Sequence, residues 1–511
     1  MNQSGAYSVS KRSQSKYDNQ YYLLSESERK NGAAVTPKSI TMKGNDPTNS
    51  IERQPFLDRP PTEPVRLTPA WEDNNLTDDE LNFKSLTMEQ ANLELNPPKD
   101  RYMLVYLTLV LHGIGILMPW NMFITAKSYF VDYKLSESYT GVKSDYVTFF
   151  QSYLAFASQI PNLAFNWINI FIQIGGNLTT RIVWSIFIEV VIFVFTVILA
   201  MTDSSDWSGV FFWITMVTVV ILNVANGIYQ NTVYGMGAKL PFKYTGAIIL
   251  GSNISGAFTA IINLLSIAIA PNKRTAAIYY FITALFVLLA CFDTYFALPL
   301  NRFYRYNEYI KQKSDQIIRR ENAGLKPKVP YWQVFKKAFP QLFNVFFVFF
   351  VTLSIFPSMH SDIQKSDPDF FIPDKYYVSI MCFMTFNITA MLGSLVTNWI
   401  RWPSAKYLVI PVVLRALFIP FFLFCNYRPV GIARVLPVLF ANDWGYWVAA
   451  VLMGFSSGYC SSLAMMYTSG TVEPVHASIA GMFGGAILIT GVCSGILFAC
   501  IFPWIVRTIN I

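Results

Sequence analysis

The sequence predicts an all-α polytopic membrane protein with eleven transmembrane helices in a six-plus-five arrangement. The 511-residue chain is 53% hydrophobic and only 14% charged, whereas soluble proteins usually carry about 25% charged residues. Apolar runs of about 20 residues recur from Tyr102 to the C-terminus, and each is long enough to cross a bilayer core of roughly 30 Å. An outer-membrane barrel would instead show alternating segments of about 10 residues.

The expected spans follow the apolar runs in order. They are 102–127, 146–173, 180–201, 207–236, 243–270, 274–300, 338–359, 374–399, 405–425, 443–468 and 476–506. Outside the spans, polar and charged residues concentrate in two segments, one before residue 100 and one between the sixth and seventh spans. These segments and the two helical groups give four predicted regions: a polar disordered tail at 1–99, a six-helix bundle at 100–300, a basic loop at 301–337 and a five-helix bundle at 338–511.

The basic loop predicts the orientation of the chain. It contains ten lysines and arginines against three acidic residues, and the positive-inside rule places such a loop in the cytosol. With six spans before it, the N-terminus is cytosolic; with eleven in total, the C-terminus lies on the opposite side. A six-plus-five layout is typical of transporters whose two halves rock about a central site.

The first span contains residues that are costly in lipid. Pro119 removes a helix hydrogen bond, and the amide of Asn121 needs a partner that lipid lacks. Trp120 offers a flat face for a planar ligand and, with Leu117, lies within about one turn of Asn121. We therefore expect this helix to line a pathway, the alternative for Trp120 being an anchor at the membrane interface.

Amides recur in later spans. In the fourth span Asn226 and Gln230 share a helix face, and in the eighth span Phe383 and Asn387 do so. Such amides either hydrogen-bond a neutral solute or join helices to one another. Glycines four residues apart in the eleventh span, at positions 481, 485, 491 and 495, predict close helix packing.

Ionisable residues within the spans are few. Glu189 and Arg415 are candidates for buried pairing or for a role in a pathway. No chain of carboxylates or histidines suggests a proton relay, which favours facilitated diffusion over coupled transport. No paired carboxylates, HExxH motif or Ser/His/Asp constellation is apparent, so we predict no enzymatic activity, no cofactor and no metal site.

Several motifs together resemble the equilibrative nucleoside transporter family. They are DRY at 100–102, GIGILMPWN at 113–121, YGMGAKLP at 234–241, YTGAIILGSNISG at 244–256, FALPLNRFYRY at 296–306, CFMTFN at 382–387 and RALFIPFFLFCNYRP at 415–429. The resemblance covers about residues 99–506. It implies a fold similar to the major facilitator superfamily and facilitated diffusion of nucleosides, or sometimes nucleobases, by alternating access.

The resemblance also implies roles for individual residues. The substrate pocket matches Leu117, Trp120, Gln230, Phe383 and Asn387, to which the composition of the first span adds Asn121. Gln230 is expected to contact the base edge, Trp120 and Leu117 to enclose the ligand, and Asn387 to add a polar contact. The implied gating residues are Ile124 and Pro357 for the outer gate and Arg181 for the inner gate.

The chain departs from the family pattern at two pocket positions. The family carries an aspartate and an arginine where this chain has Ala390 and Ser394. Losing both avoids an unpaired charge at membrane depth, but it removes a charged donor for the sugar hydroxyls, so ribose recognition is expected to be weak or altered. Ser252 stands where the cation-transporting branch has an acidic residue, so organic-cation transport is not predicted.

The predicted function is facilitative transport of nucleosides or related neutral planar solutes. The alternative is a non-transporting relative that acts as a solute sensor or membrane scaffold. The expected partners are a nucleoside or nucleobase-like small molecule and the lipid bilayer, with no nucleic acid polymer and a monomeric state. The plasma membrane is the expected location, with an endosomal or lysosomal membrane as the alternative.

Overall fold

The described part of the chain is built from α-helices. The structure, a computed structural model, describes residues 97–126, 129–141, 146–172, 176–269, 273–321, 330–429 and 432–509. All but the last three residues of the predicted tail, 1–99, lie outside these ranges, as does part of the basic loop. Within them, the backbone forms helices and two isolated β-bridges but no β-strand.

A helix is present at each of the eleven predicted positions. The first six are α1 (Leu104–Thr125), α2 (Tyr146–Phe171), α3 (Leu178–Met201), α4 (Ser208–Gly237), α5 (Phe242–Ile269) and α6 (Lys273–Ala297). The last five are α7 (Tyr331–Ile355), α8 (Asp374–Val396), α9 (Val409–Leu423), α10 (Asp443–Gly470) and α11 (Ala477–Ala499). Between the two groups lies an amphipathic connector helix, Arg302–Glu321, and a short helix, Phe502–Thr508, follows α11.

Nine of these helices are long and apolar enough to cross a membrane, counted over the described residues. The chain is therefore an integral membrane protein of the predicted all-α polytopic class. The two others are α9, which is apolar but shorter, and α2, which has 26 residues but carries several amides. The predicted number of eleven spans stays a prediction.

We call the helices before the connector helix, α1–α6, the N-terminal group and those after it, α7–α11, the C-terminal group. In the first group α1 packs on α5 and α6, while α4 packs on α2 and α3. In the second group α7 packs on α10 and α11, while α8 packs on α10. Across the two groups, α11 contacts α2 and α4, and α5 contacts α8 and α10. Any site between the groups is therefore bordered by these helices.

Glycines permit the closest helix contacts. A Cβ added at Gly113 on α1 would overlap the Ile248 carbonyl oxygen on α5. In α11, a Cβ at Gly491 would lie 2.6 Å from the Phe346 carbonyl oxygen, and one at Gly495 would lie 2.5 Å from that of Phe350, both on α7. The close packing predicted for the glycines of the eleventh span is confirmed at these positions.

Glu189 and Arg415, the two residues predicted as candidates for buried pairing, do not pair with each other. Arg415 on α9 is 2% exposed and donates to the Met453 carbonyl oxygen at 3.0 Å, to Thr352 Oγ1 at 2.6 Å and to Ser456 Oγ. Glu189 on α3 is fully buried, and neither carboxylate oxygen has a hydrogen-bond partner among the described residues. Arg415 thus joins α9 to α7 and α10 through neutral oxygens.

We expect Thr352→Val to destabilise the protein through Arg415. The substitution keeps the side-chain shape but removes the oxygen that accepts from a buried guanidinium and that also hydrogen-bonds Ser457 Oγ at 3.0 Å. Hydrogen bonds to charged groups contribute about 1.5–3 kcal/mol, so the Arg415 contact is expected to dominate the loss. The melting temperature of the detergent-solubilised protein should fall clearly. Thr468→Val is the matched control, because the buried Thr468 hydroxyl donates within its own helix, to the Ala464 carbonyl oxygen. Equal melting temperatures for the two variants would contradict the role assigned to Arg415.

Candidate functional site

One face of α1 is covered less completely than the rest of the helix. Leu117, Trp120, Asn121 and Ile124 are half-buried, whereas the residues between them, 118–119 and 122–123, are buried. Their spacing places these four side chains on a single helical face. The pathway-lining residues predicted on the first span therefore share a face that has room beside it.

The amides of α1 and α8 meet adjacent residues of α5. Asn121 Nδ2 donates to Ser255 Oγ at 3.0 Å. A Cβ added at Gly256 would overlap Asn387 Oδ1 and lie 3.0 Å from Asn387 Cγ, so Asn387 rests directly on the α5 backbone. Asn387 Nδ2 donates to the Phe383 carbonyl oxygen at 2.8 Å. Predicted site residues from both helical groups thus converge on one turn of α5.

Phe383, the aromatic site residue predicted in the C-terminal group, lies beside another aromatic ring. Phe383 is half-buried in the π-helical turn of α8, Ser379–Met384, and its ring lies 5.7 Å from that of Phe356 in an edge-on arrangement. Pro357 follows Phe356 directly, at the end of α7, and is half-buried. Phe383 and the predicted gating residue Pro357 therefore border the same part of the C-terminal group.

Gln230 differs from the other predicted pocket residues because it is buried, at 2% exposure. It lies on α4, which contacts α1, α5 and α11. Asn226, one turn away, is equally buried, and its Oδ1 has no hydrogen-bond partner among the described residues. The structure thus places an amide pair inside the N-terminal group, with acceptor capacity left over at Asn226.

Arg181 begins a hydrogen-bond network that crosses from one helical group to the other. Its Nη1 donates to Asn169 Oδ1 on α2 at 3.2 Å, and Asn169 Nδ2 donates to Asn231 Oδ1 on α4 at 3.0 Å. Asn231 Nδ2 then donates to the Met482 carbonyl oxygen on α11 at 2.7 Å. Sequence reasoning missed Asn169 and Asn231, although the helical spacing of asparagines 162, 166 and 169 in α2 would have indicated a polar face.

This network lies at the end of the bundle where the connector helix attaches, which we call the connector end. The end of α4 lies there because its Met236 lines the same cavity as Tyr304 of the connector helix. The start of α11 lies beside the end of α4 because Asn231 donates to the Met482 carbonyl oxygen. Further contacts between the two groups occur there: Tyr106 Oη donates to Asn398 Oδ1 at 3.0 Å, and a Cβ at Gly470 would lie 2.8 Å from the Phe242 ring. The connector end is therefore closed by direct contacts between the groups.

The two diverged positions are packed rather than open. Ala390 and Ser394 are each 1% exposed, and a Cβ added at Gly458 on α10 would overlap the Ala390 carbonyl oxygen. Ser394 Oγ donates to the carbonyl oxygens of Ala390 at 3.0 Å and Gly458 at 3.2 Å, and it accepts from Asn253 Nδ2 on α5 at 2.6 Å. Both diverged side chains are therefore buried where α8 meets α10 and α5. The partner, Asn253, belongs to the motif YTGAIILGSNISG of the fifth span.

A cavity of 190 Å³ lies away from these residues, at the connector end. It is lined by Met236, Lys239, Leu240, Tyr304, Asn307, Glu308, Lys311 and Gln312. None of the predicted substrate-binding residues borders it, so it is separate from the candidate site. The candidate site lies instead at the convergence on α5, where predicted residues from both groups meet.

Comparison with known proteins identifies similar chains. The family model described as nucleoside transporter matches residues 216–504. Equilibrative nucleoside transporter 3 of Rattus norvegicus is 30% identical over 397 residues, covering 73% of this chain and 83% of the relative. Equilibrative nucleoside transporter 1 of Homo sapiens is 28% identical over 458 residues, covering 81% and 98%. A solved structure described in terms of substrate recognition in proton-dependent oligopeptide transporters aligns with a TM-score of 0.37 at 13% identity, covering 78% of this chain and 98% of that chain.

Proposed function

Because this chain belongs to the equilibrative nucleoside transporter family, we propose that it carries nucleosides, or related neutral planar solutes, across a membrane by facilitated diffusion. The observation that carries the proposal is the match over residues 216–504, together with named nucleoside transporters that align over most of their length. The convergence of Asn121 and Asn387 on one turn of α5 supports a site between the helical groups.

In this proposal the substrate is held between the two groups. Trp120 and Leu117 enclose the planar base from α1, and Phe383 encloses it from α8. Gln230 contacts the base edge, and Asn121 and Asn387 add polar contacts. The half-buried state of the α1 and α8 residues supports these roles, because a side chain that lines a site needs free volume beside it.

We further propose that transport proceeds by alternating access. Ile124 and Pro357 form the outer gate, and Arg181 anchors the inner gate. The basic residues of the connector support a cytosolic position for the connector end, with the N-terminus cytosolic and the C-terminus on the opposite side. The network from Arg181 to Met482 then supports a conformation closed toward the cytosol. The protein acts as a monomer at the plasma membrane.

The first test is uptake of radiolabelled uridine and adenosine by cells that lack other nucleoside carriers. We expect saturable uptake above cells carrying the empty vector, equal in the presence and absence of a proton gradient. No uptake of any nucleoside or nucleobase by protein detected at the cell surface would contradict the proposal and favour a non-transporting sensor or scaffold.

Gln230→Ala tests the proposed base contact. A neutral hydrogen bond contributes about 0.5–1.5 kcal/mol, so the KM for uridine should rise by about two- to tenfold. Gln312→Ala is the control, because Gln312 is exposed on the connector helix and should leave the KM unchanged. An unchanged KM in Gln230→Ala, at normal surface expression, would remove Gln230 from the site.

A further inference from the structure

Asn253 joins the two helical groups at the diverged positions. Its Nδ2 donates to Ser394 Oγ at 2.6 Å, from α5 to α8. Ser394 in turn donates to the Ala390 carbonyl oxygen. One amide from α5 is therefore linked by hydrogen bonds to both diverged residues. At these positions α8 itself carries only an alanine and a serine, and α5 of the N-terminal group supplies the amide.

The amide of Asn253 keeps unused hydrogen-bonding capacity. A carboxamide has two N–H donors and an oxygen acceptor, and the bond to Ser394 uses one donor. No described residue donates to Asn253 Oδ1, and the side chain is half-buried, whereas Ser394 is buried. Of this pair, only Asn253 has both free polar atoms and space beside it.

Asn253 also lies next to the candidate site. Gly256, on which Asn387 rests, is three residues further along α5, so the two positions share a helix face. Ser255, the partner of Asn121, is two residues further along. Ser255 therefore faces α1, whereas Asn253 lies on the face of α5 that meets α8, one turn from the contact with Asn387.

We propose that Asn253 is the residue of this chain that recognises the ribose hydroxyls of a nucleoside. The inference rests on the proposed function and names the part of the substrate that α5 contacts. A sugar hydroxyl both donates and accepts, and the free N–H and Oδ1 of one amide offer the matching pair. A neutral amide does this without the cost of an ionised group at membrane depth.

The competing explanation is that Asn253 only joins α5 to α8. Loss of a purely structural bond would alter the uptake of all nucleosides alike, because it acts on the carrier and not on one substrate atom. Loss of a ribose contact would act selectively on nucleosides that carry the contacted hydroxyl. The ratio of KM values between uridine and its deoxy analogues separates the two explanations.

The experiment measures the KM for uridine, 2′-deoxyuridine and 3′-deoxyuridine in the wild type and in Asn253→Ala. In the wild type we expect at least one deoxy analogue to have a KM about two- to tenfold above that of uridine, the range for one neutral hydrogen bond. In Asn253→Ala that ratio should fall to about one, through a rise in the uridine KM. Should Asn253→Ala not reach the surface, Asn253→Ser, which keeps a shorter polar side chain, takes its place with the same expectation of a reduced ratio.

Asn398→Ala is the matched control. Asn398 also joins the two groups through an amide, accepting from Tyr106 Oη at the connector end, away from the candidate site. Its substitution should shift all three KM values together and leave their ratios unchanged. Equal KM values for the three nucleosides in the wild type, or unchanged ratios in the Asn253 variant, would overturn the inference while nucleoside transport itself stands. Absence of uptake in the wild type would instead contradict the proposed function.

Discussion

Gly251→Ala should prevent the protein from folding stably enough to reach the cell surface. Gly251 lies where α1 and α5 cross, and an added Cβ would overlap the Val110 carbonyl oxygen and lie 2.9 Å from Gly113 Cα and Ile114 N. All three atoms belong to the backbone of α1, so no side chain can rotate away. Overpacking costs typically about 1–3 kcal/mol and occasionally more. We expect a cost at or above the top of that range, because relief requires the two helices to separate.

Gly445→Ala is the control for this prediction. Gly445 is in the first turn of α10, and the nearest atom to an added Cβ would be Asn442 Cβ, at 3.9 Å. Alanine favours a helix over glycine by about 1 kcal/mol, so this variant should be neutral or slightly more stable. For both variants, surface biotinylation measures the amount of protein at the cell surface, and the melting temperature in detergent measures stability. Normal surface levels and an unchanged melting temperature for Gly251→Ala would show that the α1–α5 contact is looser than described.

The positions of the helices could be predicted from the sequence because lipid imposes a strong and simple constraint. A span needs an uninterrupted apolar run, so the fourth helix was predicted at 207–236 and is found at Ser208–Gly237. The second and ninth segments also form helices at the predicted positions, but they are not among the nine that are long and apolar enough to cross a membrane. Helix α2 carries buried asparagines at positions 162, 166 and 169, and α9 is apolar but shorter. Its buried Arg415 depends on oxygens from two other helices.

The partners within the candidate site were harder to predict. Hydrogen bonds such as Asn253 to Ser394, or Asn169 to Asn231, join helices that are far apart in sequence. Helical periodicity reveals which residues share a face but not which other helix that face meets. For the same reason the sequence identified Ala390 as a changed pocket position without showing that α10 covers it. Motif resemblance supplied the residues, and only the packing of α5 against α8 showed how they are arranged.

Gly481→Ala should weaken the closure of the connector end without unfolding either helical group. An added Cβ would lie 2.5 Å from Ala238 Cβ and 2.6 Å from the Tyr234 carbonyl oxygen, both near the end of α4. This contact joins the two groups, so they can relieve it by moving apart. Separation would also break the adjacent bond from Asn231 Nδ2 to the Met482 carbonyl oxygen. A penalty of about 1–3 kcal/mol borne by the closed conformation alone lowers its population relative to the open one roughly 5- to 150-fold.

The labelling rate of a thiol placed at the contact between α4 and α11 measures the change in population of the closed conformation. Ser478 is 7% exposed at the start of α11, and its carbonyl oxygen would lie 3.3 Å from a Cβ at Gly235. With the exposed Cys500 changed to serine, the maleimide labelling rate of Ser478→Cys should rise with Gly481→Ala in proportion to the change in population. The control is Gly484→Ala, whose Cβ would meet the flexible end of Met465, within the C-terminal group, at 3.0 Å. Because that side chain can move aside, this variant should leave the rate unchanged. An equal labelling rate in Ser478→Cys alone, with Gly481→Ala and with Gly484→Ala would mean that the contact between α4 and α11 does not govern opening of the connector end.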